Sequence, residues 1–327
     1  MITEKVWTER YRPDTLDEVI GHDNQIGKLK KWVDDDTMPH LLFHGPAGTG
    51  KSSSAVAFAK DRYGEDWEAN FIELNASDDR GIDVVRDQIK SAASQSASSD
   101  YSYKIIFLDE CDSLTKDAQA ALRRIMEKYT DQTRFILSCN WKSKLIDPIQ
   151  SRCSPIAFNR LPDDKIEELL LRIIEAEDVE YEDEAIVAII DQVNGDARRA
   201  VKSLWASVQD GVLDAELVEI AGGQLEDGVI TDMVNDAFNG HMGEAQEAVV
   251  TEVLPNVVDY SSFTADLMKE LQYSDEVPRD VRYFAISKIG ELERNIMEGC
   301  NPHVQINSFL HKLPCIRYAK IPNYDEN

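Results

Sequence analysis

An α/β domain built on a parallel sheet, followed by two helical domains, is the fold class that the sequence predicts. Three observations lead there. The first 160 residues alternate short runs of β-type residues with helical patterns, the mark of βαβ units around a parallel sheet. A glycine-rich stretch ending in Lys51-Ser52 stands between one such run and one such helix. Past Leu161-Pro162 the β-type runs stop and only helical periodicity remains. The expected division is 1–160, 161–223 and 224–327.

The elements follow in order. Strands are expected at Leu41–His44, Ala69–Leu74, Lys104–Leu108 and Arg134–Ser138. Between them Ser52–Lys60, Ile82–Ala92 and Asp117–Lys128 read as helices, the last with Ala118, Ala121, Leu122, Ile125 and Met126 on one face. Asp163–Ala176 carries Ile166, Leu169, Leu170, Ile173 and Ile174 on one stripe. Asp183–Val193 does the same with Ile186, Ile189, Ile190 and Val193 and stops at Asn194-Gly195, a helix C-terminal signal. A third helix runs from Ala197 to about Val208, and this helical domain ends near Gly222-Gly223. Residues 224–327 read as a further all-helical domain with an irregular tail. The Ser/Ala-rich Ser91–Ser102 reads as a flexible loop.

Composition narrows the class. With 43% apolar residues in 327, the chain can bury ordinary cores, which excludes a disordered, collagen-like or disulfide-stapled protein. No stretch reaches the roughly 18 uncharged apolar residues of a membrane span, and Met1–Pro13 lacks the apolar core of a secretory signal. A soluble, cytoplasmic protein without membrane partners is expected. The five cysteines contain no C-x-x-C pair and read as reduced, mostly buried thiols. Net charge is −26, but residues 1–160 hold 22 basic against 26 acidic groups, whereas 161–327 hold 13 against 35. The acidity lies in the second half, so the first can still present a basic face to nucleic acid. Such a blanket of carboxylates is what a halophilic source would select.

The chemistry is concentrated in a few motifs. Gly45-Pro46-Ala47-Gly48-Thr49-Gly50-Lys51-Ser52 matches G-x-x-x-x-G-K-[ST] between an expected strand and an expected helix, the context of a phosphate-binding loop. Its glycines let backbone N–H groups turn inward, and the helix N-terminus adds partial positive charge. Lys51 can reach β- and γ-phosphates, and Ser52 can ligand Mg²⁺. Ile105–Leu108 runs into Asp109-Glu110; at such a strand end the first acid helps hold Mg²⁺ and the second orients attacking water. Asn140 closes the next strand, where an amide can sense the γ-phosphate or hold the water but by spacing alone is more often an ordinary turn residue.

Taken together, Trp7–Pro13, the phosphate loop, Asn75–Gly81, Asp109–Asp112, Ser138-Cys139-Asn140, Ser151-Arg152-Cys153 and Gly195–Arg198 resemble the clamp-loader branch of the AAA+ ATPases. Within it they resemble archaeal replication factor C small subunits. The resemblance runs from residue 5 to about 210 with its motifs in order, and the C-terminal helical domain has the length of that family's collar. It implies a P-loop AAA+ domain with a helical lid and a collar domain. It further implies that Tyr11, Arg12, Pro13, Val19 and Ile20 line the adenine pocket and that Asn140 is a first nucleotide sensor. Arg198 on the lid would be the second sensor, and Arg152 an arginine finger offered in trans to a neighbour's ATP. Cys111 stands where the family usually has Ala, which leaves both carboxylates intact.

For DNA the resemblance points to Arg80, Ile82, Arg86 and Lys142, with Lys144 nearby, following the duplex backbone without reading sequence. The clamp contact is expected from Ile82 to about Tyr103, with Tyr101 and Tyr103 as aromatic anchors. The implied function is an ATPase subunit of a clamp loader that uses ATP and Mg²⁺ to open the PCNA sliding clamp and load it on primer–template DNA. The implied partners are a distinct large subunit and further copies of this chain in one ring. Two other readings exist, a non-hydrolysing scaffold subunit and a protein unfoldase. Intact Lys51, Ser52, Asp109 and Glu110 argue against the first, and the lack of an aromatic–apolar–Gly pore loop between Ala76 and Lys104 against the second.

Overall fold

The structure, a computed structural model, describes residues 6–77, 85–95, 97, 101–222, 225, 228–257, 260–274 and 277–318. The chain forms two compact units, Met1–Val218 and Glu219–Asn327. The first is built on five parallel strands: β1 (His40–His44), β2 (Phe71–Asn75), β3 (Lys104–Asp109), β4 (Thr133–Cys139) and β5 (Cys153–Ala157). Their order across the sheet is β2-β3-β4-β1-β5. Side chains alternate between two buried faces, as the period of a strand requires. Leu41, Phe43, Ile105, Phe107 and Ile136 pack with Phe58 of the helix Lys51–Tyr63 and Leu29 of the helix Asp23–Asp34. Leu42, Ile106, Leu108, Phe135 and Leu137 pack on the opposite side with Leu122 and Met126 of the helix Lys116–Lys128. That helix starts at Thr115, whose Oγ1 accepts from the Ala118 N–H at 3.3 Å.

Four strands lie within two residues of their expected positions at either end. The fifth, β5, was not expected; it contains Pro155, and its place at the sheet edge, paired among the described residues with β1 alone, tolerates the missing N–H. The helices Asp163–Glu177, Asp183–Val193 and Ala197–Ser207 share one core around Ile166, Leu170, Ile189 and Leu204. Asn194 ends the second of them in the left-handed conformation at φ 46°. Strands do not cease after residue 161, however. Val208–Gln209 and Val212–Leu213 form a hairpin over Asp210-Gly211, both at positive φ, and Glu180–Tyr181 pairs beside it. Asp-Gly between two short apolar runs is the sequence signature of that turn.

The Ser/Ala-rich segment also differs from expectation. Ser91–Ser94 complete the helix Lys90–Ser94 instead of forming a loop. Tyr101 and Tyr103 are used inside the domain. Tyr101 donates its hydroxyl to the Tyr63 carbonyl at 2.9 Å and meets that ring edge-on. Tyr103 is 4% exposed, and the Arg62 and Arg134 guanidiniums lie 4.2 and 4.8 Å from its ring centre. Both rings pack within the domain, Tyr103 buried and Tyr101 half-buried.

Cys111, Cys139 and Cys153 are buried free thiols, whereas Cys300 and Cys315 are exposed. In the second unit the helices Val229–Asn239, Tyr260–Tyr273, Arg279–Met297 and Pro302–Leu310 enclose a core of Met233, Phe238, Leu267, Leu271, Ile289 and Phe309. Among the described residues no helix is long and apolar enough to cross a membrane.

His40 makes the first domain sensitive to acid. The Phe135 N–H donates to its Nδ1 at 3.0 Å, so that nitrogen must carry no proton. Burial first, and the Arg134 charge second, lower its pKa from 6.5 to about 4. The unfolded ring takes up a proton below about pH 6.5 and the folded one resists it. The stability that His40 contributes is therefore complete above that pH and is lost as pH falls toward 4, by at most about 3 kcal/mol. Urea unfolding at stepped pH should show a shallower loss for His40→Asn than for the wild type; equal slopes would remove His40 from the account.

Candidate nucleotide site

The site grows from the carboxyl end of β1. After His44 the chain must turn sharply, and Gly45 does so at φ +146° with the Phe158 carbonyl pressed against it. A Cβ at residue 45 would lie 1.8 Å from that oxygen. Gly48 sits at φ +71°, and a Cβ there would meet the Asp196 carboxylate at the same distance. Only glycine fits either place. Thr49 Oγ1 donates to the Pro46 carbonyl at 2.9 Å, closing the loop before the helix begins at Lys51.

Lys51 is 7% exposed. Its ammonium donates to the carbonyls of Gly45 and Pro46, both at 2.7 Å, and to Asn140 Oδ1 at 3.0 Å. All three acceptors are neutral. Burial lowers the Lys51 pKa, and the Asp109 charge partly offsets this; Arg198 is among the charges that Lys51 senses. The Ser52 hydroxyl donates to Asp109 Oδ2 at 2.7 Å, and the Glu110 N–H donates to Asp109 Oδ1 at 2.9 Å. Glu110 stands at φ +50°, a left-handed conformation of the kind that gathers where strain is part of a site. Lys51, Ser52, Asp109 and Asn140 are thus brought together. Two hydroxyl and carboxylate oxygens side by side are hard ligands suited to Mg²⁺, and a buried ammonium among neutral oxygens suits a phosphate.

The helical layer closes over the loop. The Ala197 N–H donates to the Gly48 carbonyl at 3.0 Å, and the Leu161 N–H donates to the Gly195 carbonyl at 3.0 Å. Asp196 caps the helix Ala197–Ser207 by accepting the Arg199 N–H at 3.0 Å, and it also accepts Arg160 Nη1 at 3.1 Å. Arg198, two residues on, is exposed. At the amino end, Tyr11 donates to Glu177 Oε1 at 2.5 Å, and Arg10 pairs with the same oxygen. Burial and that carboxylate raise the Tyr11 pKa to about 12. Arg12 and Pro13 are half-buried, Val19 packs on the sheet core, and Ile20 leads into Gly21 beside Leu161. His22 and Arg160 did not emerge from the sequence, and Asp196 did so only as a member of the Gly195–Arg198 motif, with no role of its own. His22 Nε2 lies 3.0 Å from the Thr49 carbonyl and its ring abuts Phe158. The carbonyl can only accept, so Nε2 is the donor, and burial lowers the pKa of the ring.

The remaining candidates stand apart. Lys142 is half-buried in a single turn, Lys142–Lys144, next to Trp141, which is 63% exposed. Arg80 and Ile82 lie outside the described residues, as does the side chain of Arg86. Arg152 is partly exposed, donating Nη1 to the Pro148 carbonyl at 2.7 Å and Nη2 to Glu127.

Comparison with known proteins agrees with this geometry. Residues 41–161 match the ATPase family associated with various cellular activities, and residues 226–312 match the replication factor C C-terminal domain. The motor RuvB of Thermotoga maritima, described as driving Holliday junction branch migration, shares the fold, with a TM-score of 0.56. Its sequence identity is 18% over 78% of this chain and 91% of its own. Fold and site thus define an AAA-type, nucleotide-binding ATPase. Replication factor C small subunits resemble the chain over nearly all its length. That of Halobacterium salinarum is 42% identical across 94% of this chain and 95% of its own. Those of Archaeoglobus fulgidus and Sulfolobus acidocaldarius are 41% and 39% identical, across 94% and 96% of this chain and 96% and 97% of their own. The chain belongs to the archaeal replication factor C small subunits, ATPase subunits of a hetero-oligomeric clamp loader.

Gly48→Ala should destabilise the first unit by about 1–3 kcal/mol, because the left-handed backbone and the Asp196 contact both oppose a Cβ. Gly27→Ala, in a helix with open space around it, is the control and should be neutral or slightly stabilising. Thermal unfolding of the two variants side by side checks this.

Proposed function

We propose that this subunit binds ATP with Mg²⁺ at the Lys51 loop and, in a ring with a large subunit and further copies of itself, opens the PCNA clamp and places it on primer–template DNA. The observation that carries this reading is the meeting of Lys51, Ser52, Asp109 and Asn140 at one loop within a few ångströms. In the proposed division, 1–160 holds nucleotide, 161–223 is the lid and 224–327 the collar. The low net charge of the first half leaves it fit for DNA, and the acidic second half suits a cytoplasm of concentrated salt.

In this reading the loop Gly45–Gly50 wraps the phosphates, with the N–H groups from Ala47 to Gly50 turned toward them, and Lys51 exchanges neutral carbonyls for phosphate oxygens. Ser52 and Asp109 would hold the metal, which would supply charge neutralisation for the phosphates. Glu110 orients the attacking water and accepts its proton. Asn140, already bound to Lys51, senses the γ-phosphate, and Arg198 reaches the same phosphates from the lid. Tyr11, Arg12, Pro13, Val19 and Ile20 surround the adenine. Arg152 extends to the neighbouring subunit's ATP. Arg80, Ile82, Arg86 and Lys142 follow the DNA backbone.

Lys51→Ala should abolish ATP binding, read by calorimetry; unchanged affinity would overturn the site. Glu110→Gln should bind ATP normally yet turn over at least about 10²-fold more slowly in the assembled ring. In a salt titration of DNA affinity, Arg80→Ala and Arg86→Ala should each shallow the log–log slope by about one. A slope unchanged in both would place the DNA track elsewhere.

A further inference from the structure

We propose that Glu127 is the positioning residue of Arg152, fixing its guanidinium in one orientation before a neighbouring subunit presents its nucleotide. The inference rests on the reading of Arg152 as a finger acting in trans. Arg152 lies between the short helix Asp147–Gln150 and β5, and its guanidinium is held at two points. Nη1 donates to the Pro148 carbonyl at 2.7 Å, and Nη2 donates to Glu127 Oε1. Glu127 belongs to the last turn of the helix Lys116–Lys128, which starts just past the Asp109-Glu110 strand end.

The arithmetic of donors favours positioning over blockage. A guanidinium carries five N–H groups in a rigid fork, and these contacts use one on each terminal nitrogen. The Nε–H and one hydrogen on each Nη are left for phosphoryl oxygens, so the finger can serve without first releasing Glu127. Stability does not account for the pair. The side chains are 36% and 43% exposed, and surface ion pairs of this kind contribute little to folding. Glu127 also has a second cation within reach, since Arg123 Nε lies 3.9 Å from the same carboxylate oxygen one helical turn earlier. Arg123 adds a second positive charge beside the carboxylate on its own helix without a hydrogen bond to it, and the carboxylate orients Arg152 across a gap of 25 residues. A long side chain ordered beforehand loses less freedom when it engages its target, which is how a supporting carboxylate speeds the step without touching the substrate.

The test uses the complete ring, with its large subunit, clamp and primer–template DNA. Glu127→Gln keeps the size of the side chain and removes its charge. It should lower kcat for ATP about 10-fold while leaving KM, the mass of the ring and the thermal midpoint of the subunit unchanged. The double variant with Arg152→Ala should turn over no more slowly than Arg152→Ala alone, because the two residues act as one unit. Wild-type kcat in Glu127→Gln, or a further slowing of Arg152→Ala by the second change, would overturn the inference. Arg152→Ala measured alone separates the two levels. If it is slow while Glu127→Gln is normal, only the role of Glu127 fails; if it is itself normal, the finger reading fails.

Discussion

The ammonium of Lys51 sits buried at the head of its helix with only neutral oxygens bound to it, and much of the first domain is arranged around that fact. An unpaired buried charge is costly unless hydrogen bonds replace its water. Here two loop carbonyls and the Asn140 amide replace it, while the nearby Asp109 favours the charged form. Those groups come from the ends of β1, β4 and β3, which are neighbours in the sheet although far apart in sequence. The crossovers that set the strand order therefore also assemble the site. Ligands of open α/β sheets characteristically meet the carboxyl ends of the strands.

The segment leaving β5 ties this sheet edge to the helical layer. The Phe158 N–H donates to the His44 carbonyl, its own carbonyl presses on Gly45, and Leu161 bonds to Gly195 two residues before the helix that carries Arg198. Arg160 reaches Asp196 from the same stretch. The short stretch Phe158–Leu161 thus touches the phosphate loop at one end and the start of the helix Ala197–Ser207 at the other. The amino-terminal strap adds a second tie, since Arg10 and Tyr11 share the Glu177 carboxylate at the far end of the helix Asp163–Glu177. A shift of either element is felt by the other through short, packed connections rather than through a flexible linker.

Much of this was legible in the sequence because it is local. A strand, a glycine loop and a helix in immediate succession leave little choice of geometry, and the stripes of Asp163–Glu177 and Asp183–Val193 declare their buried faces by spacing. What escaped depends on distant partners or on position in the sheet. A strand holding Pro155, as β5 does, is accounted for only by its place at the sheet edge. Tyr101 and Tyr103 read as free aromatics until Tyr63, Arg62 and Arg134 are found beside them. The Asp210-Gly211 hairpin was within reach of local rules, but its strands are two residues each and the flanking helical pattern masked them. His22 and Asp196 gain meaning only where the chain returns to the phosphate loop.

The near-contact between Gly48 and Asp196 has an evolutionary reading. With no room for a Cβ between them, the two positions cannot drift separately. A relative that places any larger residue at the loop position must shorten the acid or carry its lid farther away, and one that lengthens the acid must reshape the loop. Substitutions at these two sites should therefore arrive in pairs. For the same reason, a lid grafted from another member of the family would have to bring its matching loop with it.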